Sequence, residues 1–460
     1  MPDPELHTQI PPTQFSHRYT KRRSHGDAGD ILAIALGTAT GMWTTGYVCR
    51  MPGGVVPAQI VLVLMFLWLI GAGVFAAMRT SRGWLGGLWV GLVTGLFNLL
   101  ILGSLGNDLT SDQRILAYAM LWGPASIGVC GILGSVGAWI GTRFNSQHRQ
   151  YIYPEGAFTA ITACCVLVLI TVGGMVTGLN AGLSVPDWPN SFDYGMFLFP
   201  LSHMTGGVYF EHTHRLMGTL VGLATLIQTI YLFRHERRGW IKALALTVFF
   251  LVVGQGIMGG LRVTGHFTLS DIPEAMAPNT TLAIVHGAFA QVLFALMTAL
   301  AAFCSRTWIS ETPPKPRLSA RIGRLLNWAL VAVLLVQLLL GSVLRHVGHV
   351  LPEHITVALV ALMLAILCGA RAWGVNLDQP ILGRLGAALL CVVLLQIMLG
   401  VCAVIVIGGE APLKTPGMGQ AIITTAHQVS GAVLLAIAVL LALWSIRLES
   451  PVSMEELSSR

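Results

Sequence analysis

Twelve apolar runs, each about 20 residues long and so able to cross a bilayer, constrain this chain more than any motif does. They lie near 31–49, 59–78, 85–105, 115–141, 158–180, 209–233, 241–264, 282–304, 325–346, 354–370, 384–408 and 421–446. Within the hydrocarbon layer only a helix or a closed barrel satisfies every backbone group, and runs of this length and continuity are helical. The arginines test the count. With the N-terminus cytoplasmic, all but six of the 27 Lys and Arg residues fall in cytoplasmic segments. The six are Arg50, Arg114, Arg215, Arg262, Arg345 and Lys414. A miscount by one helix would scramble that alternation. The expectation is therefore an all-α polytopic membrane protein of about 12 transmembrane helices with both termini cytoplasmic.

Composition agrees, with 10% charged and 54% apolar residues where soluble domains carry about a quarter charged. The sequence pI near 9.1 then reflects cytoplasmic loops rather than nucleic-acid binding. The eight cysteines lie in or beside apolar runs without metal or disulfide spacing and read as small buried hydrophobes. The first run lacks a small-residue cleavage site, so it reads as a retained helix.

The chain divides by pattern. Residues 1–30 form a basic N-terminal segment, and 31–141 a four-helix module without histidine, with Asp108 and Asp112 in a polar outer turn. It reads as a packing or docking module. The polar stretch from Arg143 to Glu155 marks a domain boundary. From 158 onward the sequence repeats: Gln255-x3-Gly259-x2-Arg262, then Gln337-x3-Gly341-x3-Arg345, then Gln396-x3-Gly400. Gln255 precedes His286 by 31 residues, and Gln396 precedes His427 by the same 31. Two pseudo-repeated four-helix bundles are expected, 158–304 and 325–446, followed by a cytoplasmic tail, 447–460.

Four histidines, His214, His286, His354 and His427, fall near the outer ends of the even-numbered helices, two in each bundle. Two imidazoles facing across a bundle supply axial nitrogens for one haem iron or another metal. Arg262 and Arg345 end their helices at the same depth. A guanidinium fork suits a carboxylate such as a haem propionate, and snorkelling to the interface is the competing role. Around His214 stands Glu211-His212-Thr213-His214-Arg215. Glu211 and His214, three apart, share a helix face, and Glu211 and Arg215 are four apart. Ionisable groups at membrane depth read as a functional site. His203, His212, His266, His346 and His349 are further outer-side imidazoles that read as mostly solvated, and His349 competes with His354 as a ligand. Gly218-x3-Gly222 reads as a close-packing stripe. The long outer loop from Asn180 to Tyr209 reads as a lid, with Asp187 and Trp188 as its contacts.

These residues together resemble the heme A synthase family, which converts haem O to haem A during cytochrome oxidase assembly. The resemblance covers about 158–446. It rests on Gly173-Gly174, Gly182-Leu183-Ser184-x-Pro186-Asp187-Trp188-Pro189, Glu211-x2-His214-Arg215, Gly256-x2-Gly259-Gly260-Leu261-Arg262-Val263, and the histidines at 286, 354 and 427. It implies a substrate haem O between His214 and His286, and a haem b between His354 and His427 as electron carrier. It also implies oxidation of the C8 methyl to a formyl group, with Glu211 as the catalytic carboxylate and Arg215, Arg262 and Arg345 as candidate propionate contacts. Haem O synthase and oxidase assembly factors are the implied partners, in a bacterial inner membrane with the haem sites near the outer face; a homo-oligomer stays open. The chain departs from the family in three ways. Val185 and Ser191 stand where some members carry a cysteine pair, Thr177 where an arginine often follows the paired glycines, and the four extra N-terminal helices lie outside the common pattern.

Two other readings stay open. One is a bis-histidine haem protein that only carries electrons or handles haem, which would need no carboxylate beside a ligand. The other is a 12-helix transporter, against which stands a four-plus-four repeat that begins only at the fifth helix.

Overall fold

The structure, a computed structural model, describes residues 12–54, 56–108, 115–144, 154–264, 279–309, 313–375, 378–408 and 416–452. Twelve long helices carry the fold. They are α1 (Pro12–Cys49), α2 (Ala58–Arg79), α3 (Trp84–Asp108), α4 (Ile115–Arg143), α5 (Pro154–Gly178) and α6 (Gly206–His235). The second six are α7 (Gly239–Thr264), α8 (Thr280–Phe303), α9 (Ala320–Val347), α10 (Leu351–Val375), α11 (Pro380–Gly408) and α12 (Met418–Leu448). All twelve contain a stretch long and apolar enough to cross a membrane, as the hydropathy pattern requires. The chain is an integral membrane protein. Asp112, His266 and the tail beyond residue 452 lie outside the described residues.

Helix α1 departs from the expected 1–30 boundary, because it begins at Pro12. Proline suits a first helical position, where its missing N–H has no intrahelical partner to lose. No glycine or proline then interrupts the chain until Gly26, so the helix runs through the basic segment.

Helices α5 to α8 close into a ring in which each packs on the next and α8 returns to α5. Helices α9 to α12 form a second ring of the same order. The rings meet through α12 against α5 and α8, and through α9 against α8. At the end opposite the histidines, Lys315–Arg317 (β1) pairs in parallel with Glu449–Pro451 (β2), a small clip absent from the hydropathy pattern. Lys315 Nζ also sits 2.7 Å from Asp378, and Arg324 bonds the Glu449 carbonyl.

The N-terminal module is assembled backbone against backbone. A Cβ added at Gly91 would fall 2.1 Å from the Cys130 carbonyl oxygen, and one at Gly134 2.2 Å from that of Gly87. At Gly137 it would fall 2.0 Å from the Ile70 carbonyl. Lipid supplies no hydrophobic force between helices, so such close approach is how α2, α3 and α4 gain their dispersion contacts. A partly buried bond, Trp43 Nε1 to Asn98 Oδ1 at 2.9 Å, and a buried one, Thr94 Oγ1 to the Ala35 carbonyl at 3.3 Å, tie α1 to α3. Helix α1 then lies along α5, where Thr40 Oγ1 and Cys165 Sγ are 3.0 Å apart. The Gly218/Gly222 stripe is a correction: a Cβ at either position would meet nothing within 4 Å, so it is not a packing seam. The spacing allowed a close approach, but no neighbouring helix uses it.

Gly134→Val should destabilise the protein by about 3 kcal/mol or more, since backbone on both sides leaves no side chain able to yield. Gly218→Ala should stay within about 0.5 kcal/mol of wild type in the same thermal-unfolding series.

Candidate functional site: two facing histidine pairs

Helices α6 and α8 bring His214 and His286 face to face, with ring centroids 6.4 Å apart and planes at 87°. Helices α10 and α12 do the same for His354 and His427, at 6.4 Å and 75°. Two imidazoles that share one metal from opposite sides, with metal–nitrogen bonds of about 2 Å, stand about 6 Å apart centre to centre. Both pairs match that spacing. In addition, Nδ1 of His214, of His286 and of His427 is buried and makes no hydrogen bond of good geometry. Among the described residues no cluster of three or more His, Cys, Asp or Glu side chains could hold a metal alone. A facing pair of imidazoles fits a metal whose remaining ligands arrive with it, as in haem.

Each imidazole has a glycine against it on the preceding helix. Added Cβ atoms at Gly173, Gly259, Gly341 and Gly400 would lie 2.9, 3.5, 3.1 and 3.0 Å from Cε1 of His214, His286, His354 and His427 respectively. A larger residue would push the ring out of place. Four residues before three of these glycines stand the repeated glutamines. Gln337 Nε2 lies 3.1 Å from His354 Nδ1, and Gln396 Nε2 lies 3.5 Å from His427 Nε2. Gln255 Nε2 reaches the His286 carbonyl instead, at 3.3 Å. At the fourth position stands Leu169, so His214 alone has no carboxamide behind it.

His214 has instead a carboxylate one turn earlier. Glu211 is 4% exposed, and each of its oxygens has a donor: Arg215 to Oε1 at 2.7 Å and the Val185 amide to Oε2 at 2.8 Å. Arg215 also donates to the carbonyls of Asp187 (2.7 Å), Asn190 (2.9 Å) and Val185 (3.0 Å). Its guanidinium thus joins Glu211 to the 179–205 loop. The loop leaves α5 through Asn180 at φ 52°, a left-handed conformation that asparagine tolerates.

Asp187 closes the next turn by accepting the amides of Phe192 (2.7 Å) and Asp193 (3.0 Å). Slight burial pushes the Asp187 carboxyl up, but those two amides outweigh it and hold it below the ordinary carboxylate value. The sign follows: its support for the loop is complete at neutral pH and is lost as pH falls through that lowered value. The Trp188 ring lies on Gly260 of α7, where a Cβ would come within 2.3 Å of it. Both residues expected in the lid are therefore structural parts of it.

The remaining imidazoles sort clearly. His212 is a correction to the solvated reading, being fully buried, 3.0 Å from Ser191 Oγ and 4.8 Å centre to centre from Phe199. Polarity misled here, because the folded loop covers the ring. His203 and His349 are exposed, and His346 is half-buried. His354, rather than His346 or His349, stands opposite His427. Arg262 lies under the loop, with Gly182 against its guanidinium and its Nε buried without a partner. Arg345 is half-buried at the end of α9. Sequence reasoning missed Val185 and Ser191 as partners, since a backbone amide and a lone serine carry no pattern. The Gly–His contacts were signalled by the repeated Gln-x3-Gly.

Arg215→Ala should cost about 3 kcal/mol by leaving a buried carboxylate unpaired. Arg215→Ala with Glu211→Gln should recover part of that loss in a double-mutant cycle of thermal unfolding.

Comparison with known proteins shows what this part of the chain is similar to. A family model described as Cytochrome oxidase assembly protein matches residues 156–353, from α5 through the first turn of α10. A heme A synthase of Lysinibacillus sphaericus is 26% identical over 211 residues, covering 44% of this chain and 60% of that protein. One of Granulibacter bethesdensis is 29% identical over 195 residues, covering 36% of this chain and 50% of that protein. One of Rhodopseudomonas palustris is 25% identical over 210 residues, covering 40% and 54%. The chain spans about half the length of the curated relatives it matches. Residues 156–353 are thus similar to the cytochrome oxidase assembly protein family, and the relatives matched are heme A synthases.

Proposed function

We propose that the protein is a haem-oxidising membrane enzyme that converts the C8 methyl of haem O to a formyl group, as a heme A synthase does. One observation carries this reading. Two histidine pairs have the same 6.4 Å spacing, yet only the first has a buried carboxylate on a ligand's own helix face. In this reading His214 and His286 hold substrate haem O, and His354 and His427 hold a haem b. A bound haem b supplies one-electron redox chemistry.

The chain's own residues do the rest. Glu211, beside His214, takes up or relays the protons released as the methyl carbon is oxidised, and its charge offsets positive charge developing next to the ring. The oxygen atom and the acceptor of the four electrons come from outside this chain. The Arg215 and Val185 donors fix the carboxylate in position, so it needs no rearrangement when the substrate arrives. Arg262 and Arg345 are the propionate contacts, and the unpartnered Nε of Arg262 suits an incoming carboxylate. Arg215 is already engaged by Glu211 and three loop carbonyls, so its contribution is indirect. The loop, with Trp188 seated on Gly260, keeps water from the first site. A carrier of electrons alone would need no Glu211.

Pyridine-haemochrome analysis of protein purified from cells making haem O tests the proposal. Wild type should contain haem A. Glu211→Ala should retain bound haem while formyl product falls at least about 100-fold. Absence of haem A from the wild type would leave the electron-carrier reading. His427→Ala should lose the second-site haem and leave the first site's haem in place.

A further inference from the structure

We infer that the four N-terminal helices brace the Glu211 end of the first bundle, with Tyr47 and Gly103 as the positioning residues of that brace. The functional half of this inference rests on Glu211 being the working carboxylate; the packing half does not.

The module meets the rest of the chain in a restricted region. Helix α1 lies along α5, and α3 packs against the loop turns Met196–Leu198 and Leu201–His203. Both also touch α6. The described residues show no comparable packing of α1–α4 on the second bundle. There the equivalent connection is only Gly348 to Val350, too short to need support. In the first bundle the connection is 179–205, and a loop of that length holds one position only if something ties it down.

Tyr47 is near the C-terminal end of α1, where the last carbonyls have no intrahelical donor. Its carbonyl accepts instead from the Tyr209 hydroxyl at 2.5 Å. The Tyr47 ring stacks on Tyr209, centroids 5.6 Å apart, and meets Phe210 edge-on at 6.2 Å. Tyr209 and Phe210 immediately precede Glu211. The three rings belong to a small apolar cluster with Val172, Met175 and Ala181, separate from the main core.

Gly103 works on the loop. A Cβ there would come within 2.4 Å of the Phe197 carbonyl oxygen, so α3 and the loop touch backbone to backbone. Two residues on, Phe199 stacks on Phe192 at 5.7 Å and covers His212 at 4.8 Å. Phe192 donates its amide to Asp187, whose carbonyl binds Arg215, which pairs with Glu211. The contacts are continuous from α3 to the carboxylate. Because Val185 and Arg215 hold Glu211 only while the loop is seated, seating the loop positions the carboxylate.

Hydrogen exchange by mass spectrometry on the full-length protein tests this. Gly103→Leu and Tyr47→Ala should each speed exchange of amides in 182–199 about tenfold, while peptides spanning 348–351 stay at the wild-type rate. Tyr47→Phe should behave as wild type, because the Tyr47 hydroxyl is buried without a partner and the ring and carbonyl remain. If Gly103→Leu does not accumulate, Gly103→Ala is measured in its place. In haem-loaded protein, Tyr47→Ala should lower the formyl product at unchanged haem b content. Unchanged loop exchange in both disruptive variants, or an equal rise in both bundles, overturns the brace. A loosened loop in a protein whose wild type makes no haem A would keep the brace and remove the enzyme reading.

Discussion

A carboxylate buried at the mouth of a membrane bundle has to be matched by a cation and by donors, and that requirement organises the histidine end of this protein. Glu211 meets it with one guanidinium and one amide, neither of which is free to drift. Removing a single partner from such a pair costs about 3–5 kcal/mol, because the other charge stays buried. Arg215 can serve only while three loop carbonyls hold it, and those carbonyls are placed by the Asp187 turn. The geometry of one side chain thus depends on a loop, and the loop on α3 and α7. A bidentate planar donor is needed at this junction, which is why lysine would be a poor substitute for Arg215.

The two histidine pairs show how duplication leaves symmetry in the frame and difference in the detail. Ring separation and facing glycine are common to both. The carboxamide behind the ring is kept at His354 and His427 but replaced by Leu169 at His214. A ring backed by a polar group is oriented and made more basic, as outer-shell partners do for metal ligands. The ring next to the carboxylate has Leu169 in that place, and the His286 ring has a glutamine that reaches its backbone carbonyl instead. Chemistry and storage separate along that line in the proposed function.

Much of this was legible in the sequence because it is local. Hydropathy and the arginine alternation need only a window of about 20 residues, so all twelve spans could be read directly. The two facing histidine pairs were legible because each histidine recurs at one depth of a repeat. What escaped lies between segments distant in sequence. The Val185 amide that caps Glu211 has no side-chain signature at all. His212 looked solvated because its neighbours in sequence are polar, whereas its neighbours in space are Ser191 and Phe199. Gly218 and Gly222 have a packing spacing that the fold does not use. The contacts of Tyr47 and Gly103 join segments too far apart for any local pattern to record.

The way the two rings meet has a mechanical meaning. Helices α8 and α12 lie against each other, so His286 and His427 sit on the shared seam, while His214 and His354 sit on helices away from it. Each pair therefore resembles a vice with one jaw bolted to the other vice. In the second bundle the outer jaw, α10, packs on its neighbours α9 and α11. In the first, α6 is additionally clamped from outside by α1 and α3. Displacing α10 would then disturb two helix neighbours, whereas displacing α6 would disturb α1 and α3 as well as α5 and α7. Among the described residues, the same repeated part is thus built once with support from outside its ring and once without it.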